Sequence, residues 1–157
     1  MKSPALITVS LLATLVHVAA PAADTPEPAP AARATPAAQL LAAAQAHIKA
    51  GQWTGAIDEL KRVNATGSAD WNNLMGYALR KQARPDLDGA QKHYDAALKI
   101  NPRHQGALEY AGELALMKRD LVTAEAHLAS LSKLCSTPCE PLDDLKKAVA
   151  DYKAASR

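Results

Sequence analysis

Three segments of this chain align at one fixed period. Gly51-Gln52-Trp53-Thr54-Gly55-Ala56-Ile57 matches Pro85-Asp86-Leu87-Asp88-Gly89-Ala90-Gln91 and Arg119-Asp120-Leu121-Val122-Thr123-Ala124-Glu125, so that Ala56, Ala90 and Ala124 stand 34 residues apart. The same offsets downstream give Leu60, Tyr94 and Leu128, then Val63, Ala97 and Leu131. A small residue, a large one four positions later and another three after that form one stripe on a helix. A second helical pattern precedes each aligned turn, at Leu40 to Ala50, Trp71 to Lys81 and Ala107 to Lys118. Each repeat thus reads as helix, turn, helix. At Asn101-Pro102 the proline stops one helix and lets the next begin. A period of this length is the mark of a stacked array, because one hairpin cannot bury its apolar face alone.

The pattern resembles the tetratricopeptide repeat family over about Ala37 to Leu134, in copies of about 37–70, 71–104 and 105–138. The family's small residue in the first helix is matched by Gly76 and Gly112, and its large residue before the turn by Trp53, Leu87 and Leu121. Its alanine after the turn is matched by Ala56, Ala90 and Ala124, and its closing proline by Pro102. The first copy has Ala43-Ala44 in place of the glycine, and its first helix is expected to be the least firmly held. The second carries two additional residues, placed at Arg84-Pro85 in the turn. After the third copy, Leu142, Leu145, Val149 and Tyr152 recur at steps of three, four and three within 141–155. That stripe suits a helix that shields the last hairpin of a solenoid. The expected fold is all-α: three hairpins and a cap, seven helices in total.

Upstream of the array, Lys2, an apolar run from Ala5 to Val18 and the small residues Ala19, Ala20, Ala22 and Ala23 have the layout of a secretory signal peptide. Cleavage is expected after Ala22, which makes 1–22 the signal and 23–36, with Pro26, Pro28, Pro30 and Pro36 among alanines, a disordered tether. The alternative is retention of the run as an anchor, but it falls short of the ~20 residues a span needs. Absence of a cysteine directly behind it argues against a lipoprotein. The expected location is the periplasm or beyond the cell. A formal net charge of +2 over 157 residues, without a basic cluster, gives no footing for nucleic acid or an anionic membrane.

Cys135 and Cys139 stand where the third copy turns into the cap. Residues one helical turn apart have Cα atoms ~6 Å from each other, within bridging range. In an exported chain a structural disulfide is the simplest reading. The alternatives are a thiol-redox site or Cu(I) handling through the Cys-x3-Cys pair. No thioredoxin-type or c-haem spacing occurs, and His17, His47, His93, His104 and His127 show no metal-binding pattern. Paired acids at Glu109 and Glu113, and at Asp143-Asp144, fit solvated helix faces. No nucleophile, base and oxyanion site assemble, so an enzyme is not expected, nor is a cofactor.

The resemblance implies that first helices line a concave groove. Matching each helix on its small residue assigns Asn73, Tyr77, Arg80 and Lys81 to that groove from the second copy, and Glu109, Glu113, Leu116 and Met117 from the third. Gln45 and Lys49 come from the first. Tyr77 should neighbour Glu113, and Asn73 should neighbour Glu109. Tyr77 and Met117 are equally compatible with core positions, and Arg80 and Lys81 with simple pairing to Glu109 and Glu113. A groove of mixed charge with aromatic walls suits an extended peptide or a partner helix. The implied role is a protein-binding or peptide-binding adaptor, with thiol or copper chemistry at Cys135 and Cys139 as the rival.

Overall fold

The computed structural model describes residues 36–136 and 138–156. The expected signal peptide at 1–22, and the expected tether up to its last residue, lie outside them. The described chain forms seven helices: α1 (Pro36–Lys49), α2 (Trp53–Val63), α3 (Ala69–Lys81), α4 (Leu87–Ile100), α5 (Gln105–Met117), α6 (Leu121–Leu134) and α7 (Glu140–Ala155). No strand occurs among the described residues. The fold is an all-α solenoid in which α1/α2, α3/α4 and α5/α6 pair as hairpins and α7 covers α5 and α6. Among the described residues no helix is long and apolar enough to cross a membrane.

Local chemistry sets the helix starts, and it recurs with the period. Asp86 and Asp120 cap α4 and α6, each carboxylate accepting from the backbone N–H three residues on, Gly89 at 2.8 Å and Thr123 at 3.0 Å. Ser68 and His104 do the same for α3 and α5, accepting from Trp71 and Ala107. The turns differ for a physical reason. Gly51 and Arg119, aligned in the first and third copies, adopt left-handed backbone (φ 68° and 63°) and close three-residue turns. In the second copy the aligned residue is Pro85, whose ring forbids that conformation. The chain instead takes five residues, Gln82 to Asp86, between α3 and α4.

The repeated alanines Ala56, Ala90 and Ala124, of α2, α4 and α6, are all fully buried. A Cβ on Gly76 would lie 2.7 Å from the Tyr94 ring and 3.1 Å from the Ala90 carbonyl oxygen, so only glycine lets α3 and α4 approach as they do. Gly112 differs: its close neighbour is the Leu145 side chain of α7, at 2.6 Å from such a Cβ. The cap therefore presses on the spot that marks the third repeat. Of its stripe, Leu145 and Val149 are buried and Leu142 and Tyr152 pack beside them. The first helix is held more firmly than its missing glycine suggested: α1 runs unbroken and buries Leu41 and Ala44 against Trp71 and Met75. Trp71 also donates its indole N–H to the Leu60 carbonyl at 2.7 Å, which ties the first hairpin to the second.

Cys135 ends α6 and Cys139 begins α7. They are joined by a disulfide across a Cα separation of 5.9 Å.

Candidate functional site

A cavity of about 410 Å³ opens where α3, α5 and the start of α7 meet. Of the residues assigned to the groove from sequence, Asn73, Tyr77, Arg80, Lys81, Glu109 and Glu113 line it. Met117, at the last position of α5, does not; it is half exposed. Leu116 is turned into the core beside Leu131 and Leu145, and Gln45 and Lys49 lie exposed on α1, outside the lining.

The cavity is built around aromatic rings. Tyr77 of α3 and Tyr110 of α5 face one another with centroids 4.6 Å apart, Trp53 of α2 meets Tyr77 edge-on at 5.9 Å, and Tyr94 of α4 stands 6.3 Å from Tyr110. The Arg80 guanidinium carbon sits 5.6 Å from both the Tyr77 and the Tyr110 centroid, a cation held over two π faces. Arg80 also donates to Glu113 at 2.6 Å. The expected pairing of α3 cations with α5 acids therefore holds for this pair. Lys81 stays exposed, with its ammonium 5.9 Å from the Tyr77 centroid.

Glu109 is the anomaly. A solvated face was expected for the acids of α5, yet Glu109 is only 6% exposed and has no hydrogen bond or ion pair among the described residues. Burial pushes its carboxyl up to about 8, reinforced by repulsion from Glu113, Asp144 and Glu140 and opposed by Arg80. Two of those repelling carboxylates belong to the cap. Glu140 and Asp144, together with Pro141, line the cavity from α7. Asp144 had been expected on a solvated outer face; it is exposed, but it borders the cavity mouth. Asn73 Oδ1 and Arg80 Nε are shut off from solvent without a hydrogen-bond partner.

Sequence reasoning missed Tyr110, Gly106, Glu140, Pro141 and Asp144. Tyr110 was within reach, since it precedes Glu113 by three and so shares its helix face. Nothing in the repeat announced the acids of α7, because they enter from an element that has no counterpart in the period.

No protein-family model matches this sequence, and no curated protein matches it. Solved structures do. One is the Yersinia enterocolitica type III secretion chaperone SycD in complex with a peptide of the translocator YopD, at a TM-score of 0.62 and 16% identity over 76% of this chain and 93% of that one. This chain has the tetratricopeptide-repeat fold. A second similar structure is the first tetratricopeptide repeat of Spaghetti (RPAP3) bound to the HSP90 peptide SRMEEVD, with a TM-score of 0.61 and 17% identity over 74% of this chain and 94% of that one. In the terms of the tetratricopeptide-repeat fold, α1, α3 and α5 are the first helices, and the cavity lies between two of them and the cap.

Proposed function

We propose that this chain is a non-enzymatic adaptor that binds an extended segment of a partner protein in the groove formed by α3, α5 and α7, and that it works in the periplasm or beyond the cell. The observation that carries the reading is convergence. Six side chains chosen by aligning repeats, Asn73, Tyr77, Arg80, Lys81, Glu109 and Glu113, surround one opening in which aromatic faces alternate with polar groups. Such a surface suits a peptide, whose backbone and side chains offer both kinds of partner. The two similar structures, each described as holding a peptide, support the same reading. An exported location is supported by the signal-like N-terminus and by the disulfide, a bond favoured outside the cytoplasm.

The rival, thiol or Cu(I) handling at Cys135 and Cys139, has less behind it: the two sulfurs are joined to each other, and a disulfide offers no thiolate for Cu(I).

Affinity capture from a periplasmic extract, with Tyr77→Ala/Lys81→Ala beside the parent chain, tests the proposal. The double variant should lose the partner and keep its helical circular dichroism. Asp143→Ala/Lys146→Ala, at exposed positions of α7 outside the cavity lining, should retain it. Capture by the groove variant, and loss by the cap variant, would move the binding face elsewhere. Mass analysis of the exported chain should find it beginning at Ala23.

A further inference from the structure

We infer that the acidic end of this groove, where Glu109 faces the start of α7, is a subsite for a cationic side chain, a lysine or arginine, of the bound peptide. The inference rests on the peptide-binding reading above and adds what the peptide must carry.

Charge complementarity supports it. Six acidic or basic side chains line the cavity, and Arg80 pairs with Glu113 through Nη2 at 2.6 Å while its Nε keeps no acceptor. What remains is Lys81 on one wall, exposed and leaning on the Tyr77 ring, against Glu109, Glu140 and Asp144 on the other. Three carboxylates against one ammonium leave a net negative end. Glu109 is the deepest of the three and the only one that is buried. A buried carboxylate with no donor is costly: alone it holds its proton, and a paired cation is what would let it ionise. Within the described residues none is supplied to it.

The second observation is independent of the acids. Asn73, 7% exposed, lines the same cavity from α3 with its Oδ1 acceptor lacking any donor. Asn73 Oδ1 is an enclosed acceptor without a donor, and Glu109, once it loses its proton, is an acceptor beside the opening. An ammonium or guanidinium carries several N–H groups and no acceptor, so it matches both. The Tyr110 face beside Glu109 would cover the alkyl stem.

The same arrangement makes binding sensitive to pH. Glu109 is faced by Asn73, Tyr77, Arg80 and Lys81 from α3, by Tyr110 and Glu113 on its own helix, and by Glu140 and Asp144 from α7. With the carboxyl raised to about 8, a proton must leave before a cation can pair with it. Affinity for a basic peptide should therefore climb as pH rises from 6 to 9, while the lysine or arginine of the peptide stays charged.

Random peptide display against the full chain, followed by binding measurements on the selected peptides, tests this. The expected result is a common lysine or arginine position whose replacement by norleucine weakens binding roughly tenfold or more. In Glu109→Gln the same replacement should cost only a few-fold, the share left to Glu140 and Asp144, and the climb with pH should vanish. Should that variant fold poorly, Glu140→Gln/Asp144→Asn, at exposed positions, should still weaken the basic peptide by a few-fold. Selected peptides without a basic position would overturn the subsite and leave the peptide groove standing. So would a norleucine loss unchanged in Glu109→Gln, or self-association of the chain that Glu109→Gln abolishes. If no peptide is selected at all, the groove reading falls and the subsite falls with it.

Discussion

Arg80 and Glu113 reach from α3 and α5 to meet at 2.6 Å, and the arginine of the pair is only 7% exposed. The contact joins the second hairpin to the third inside the groove wall. Removing one member leaves the other charge without its partner, and for a buried pair this costs ~3–5 kcal/mol. Because Glu113 keeps partial contact with solvent, losing it should fall at or below the low end of that range. Glu113→Ala should thus lower the urea midpoint clearly, whereas Arg80→Met/Glu113→Leu should restore most of the loss. An unchanged midpoint in the single variant would mean that the pair contributes nothing. Glu113 is accordingly a poor choice for probing binding alone.

Glu109 gives a prediction with a defined sign. Its carboxyl is raised from 4.5 to about 8 in the folded chain, so the folded state holds a proton that the unfolded state releases. The stability this proton confers is complete below about 4.5 and is lost as pH climbs through about 8, at up to ~1.4 kcal/mol per pH unit. Glu109→Gln, which cannot ionise, should be more stable than the parent at pH 9 and close to it at pH 5. Urea unfolding at the two pH values checks this. A gap of the same size at both would place the cause outside ionisation.

Gly76 and Gly112 occupy equivalent places in their hairpins, yet alanine should be tolerated unequally. At Gly76 the new methyl meets the fully buried Tyr94 ring and the Ala90 backbone oxygen, neither free to move. At Gly112 it meets the branched end of one leucine on a separate helix. Overpacking typically costs ~1–3 kcal/mol, against which alanine regains ~1 kcal/mol of helix propensity. Gly76→Ala should therefore be net destabilising in thermal melts, and Gly112→Ala should lie nearer to neutral. The reverse order would contradict the packing described for α3 and α4.

Reduction of the disulfide, or Cys139→Ser, should lower stability by about 2 kcal/mol, the chain-entropy value for so small a loop. The hairpins should persist, since none of their helices depends on the bridge. Circular dichroism during a melt with and without reductant measures both points. Loss of most helical signal on reduction would refute them.

The hairpins were legible because a close helix crossing leaves little choice of residue, and that constraint repeats at Ala56, Ala90 and Ala124. The cap was legible too, since Leu142, Leu145, Val149 and Tyr152 share one face of one helix. The burial of Glu109 was not. Whether an acid on α5 meets water depends on how α7 lies across it, and that is settled by contacts between elements with no common period. Leu116 and Met117, both assigned to the groove, miss it for a related reason: at the end of a helix, one position is about 100° of rotation and separates core from solvent. The two additional residues near Pro85 were visible in the spacing, but the left-handed turns that they replace became visible only from the backbone at Gly51 and Arg119.

The bridge between Cys135 and Cys139 has one more consequence. The chain contains just these two cysteines. Within a single molecule there is one possible pairing, and the partners are close neighbours along the sequence. Thiol pairing can therefore close before any hairpin has formed, with no wrong isomer to be sorted out later. A reduced chain needs an oxidant to mature, and no shuffling catalyst.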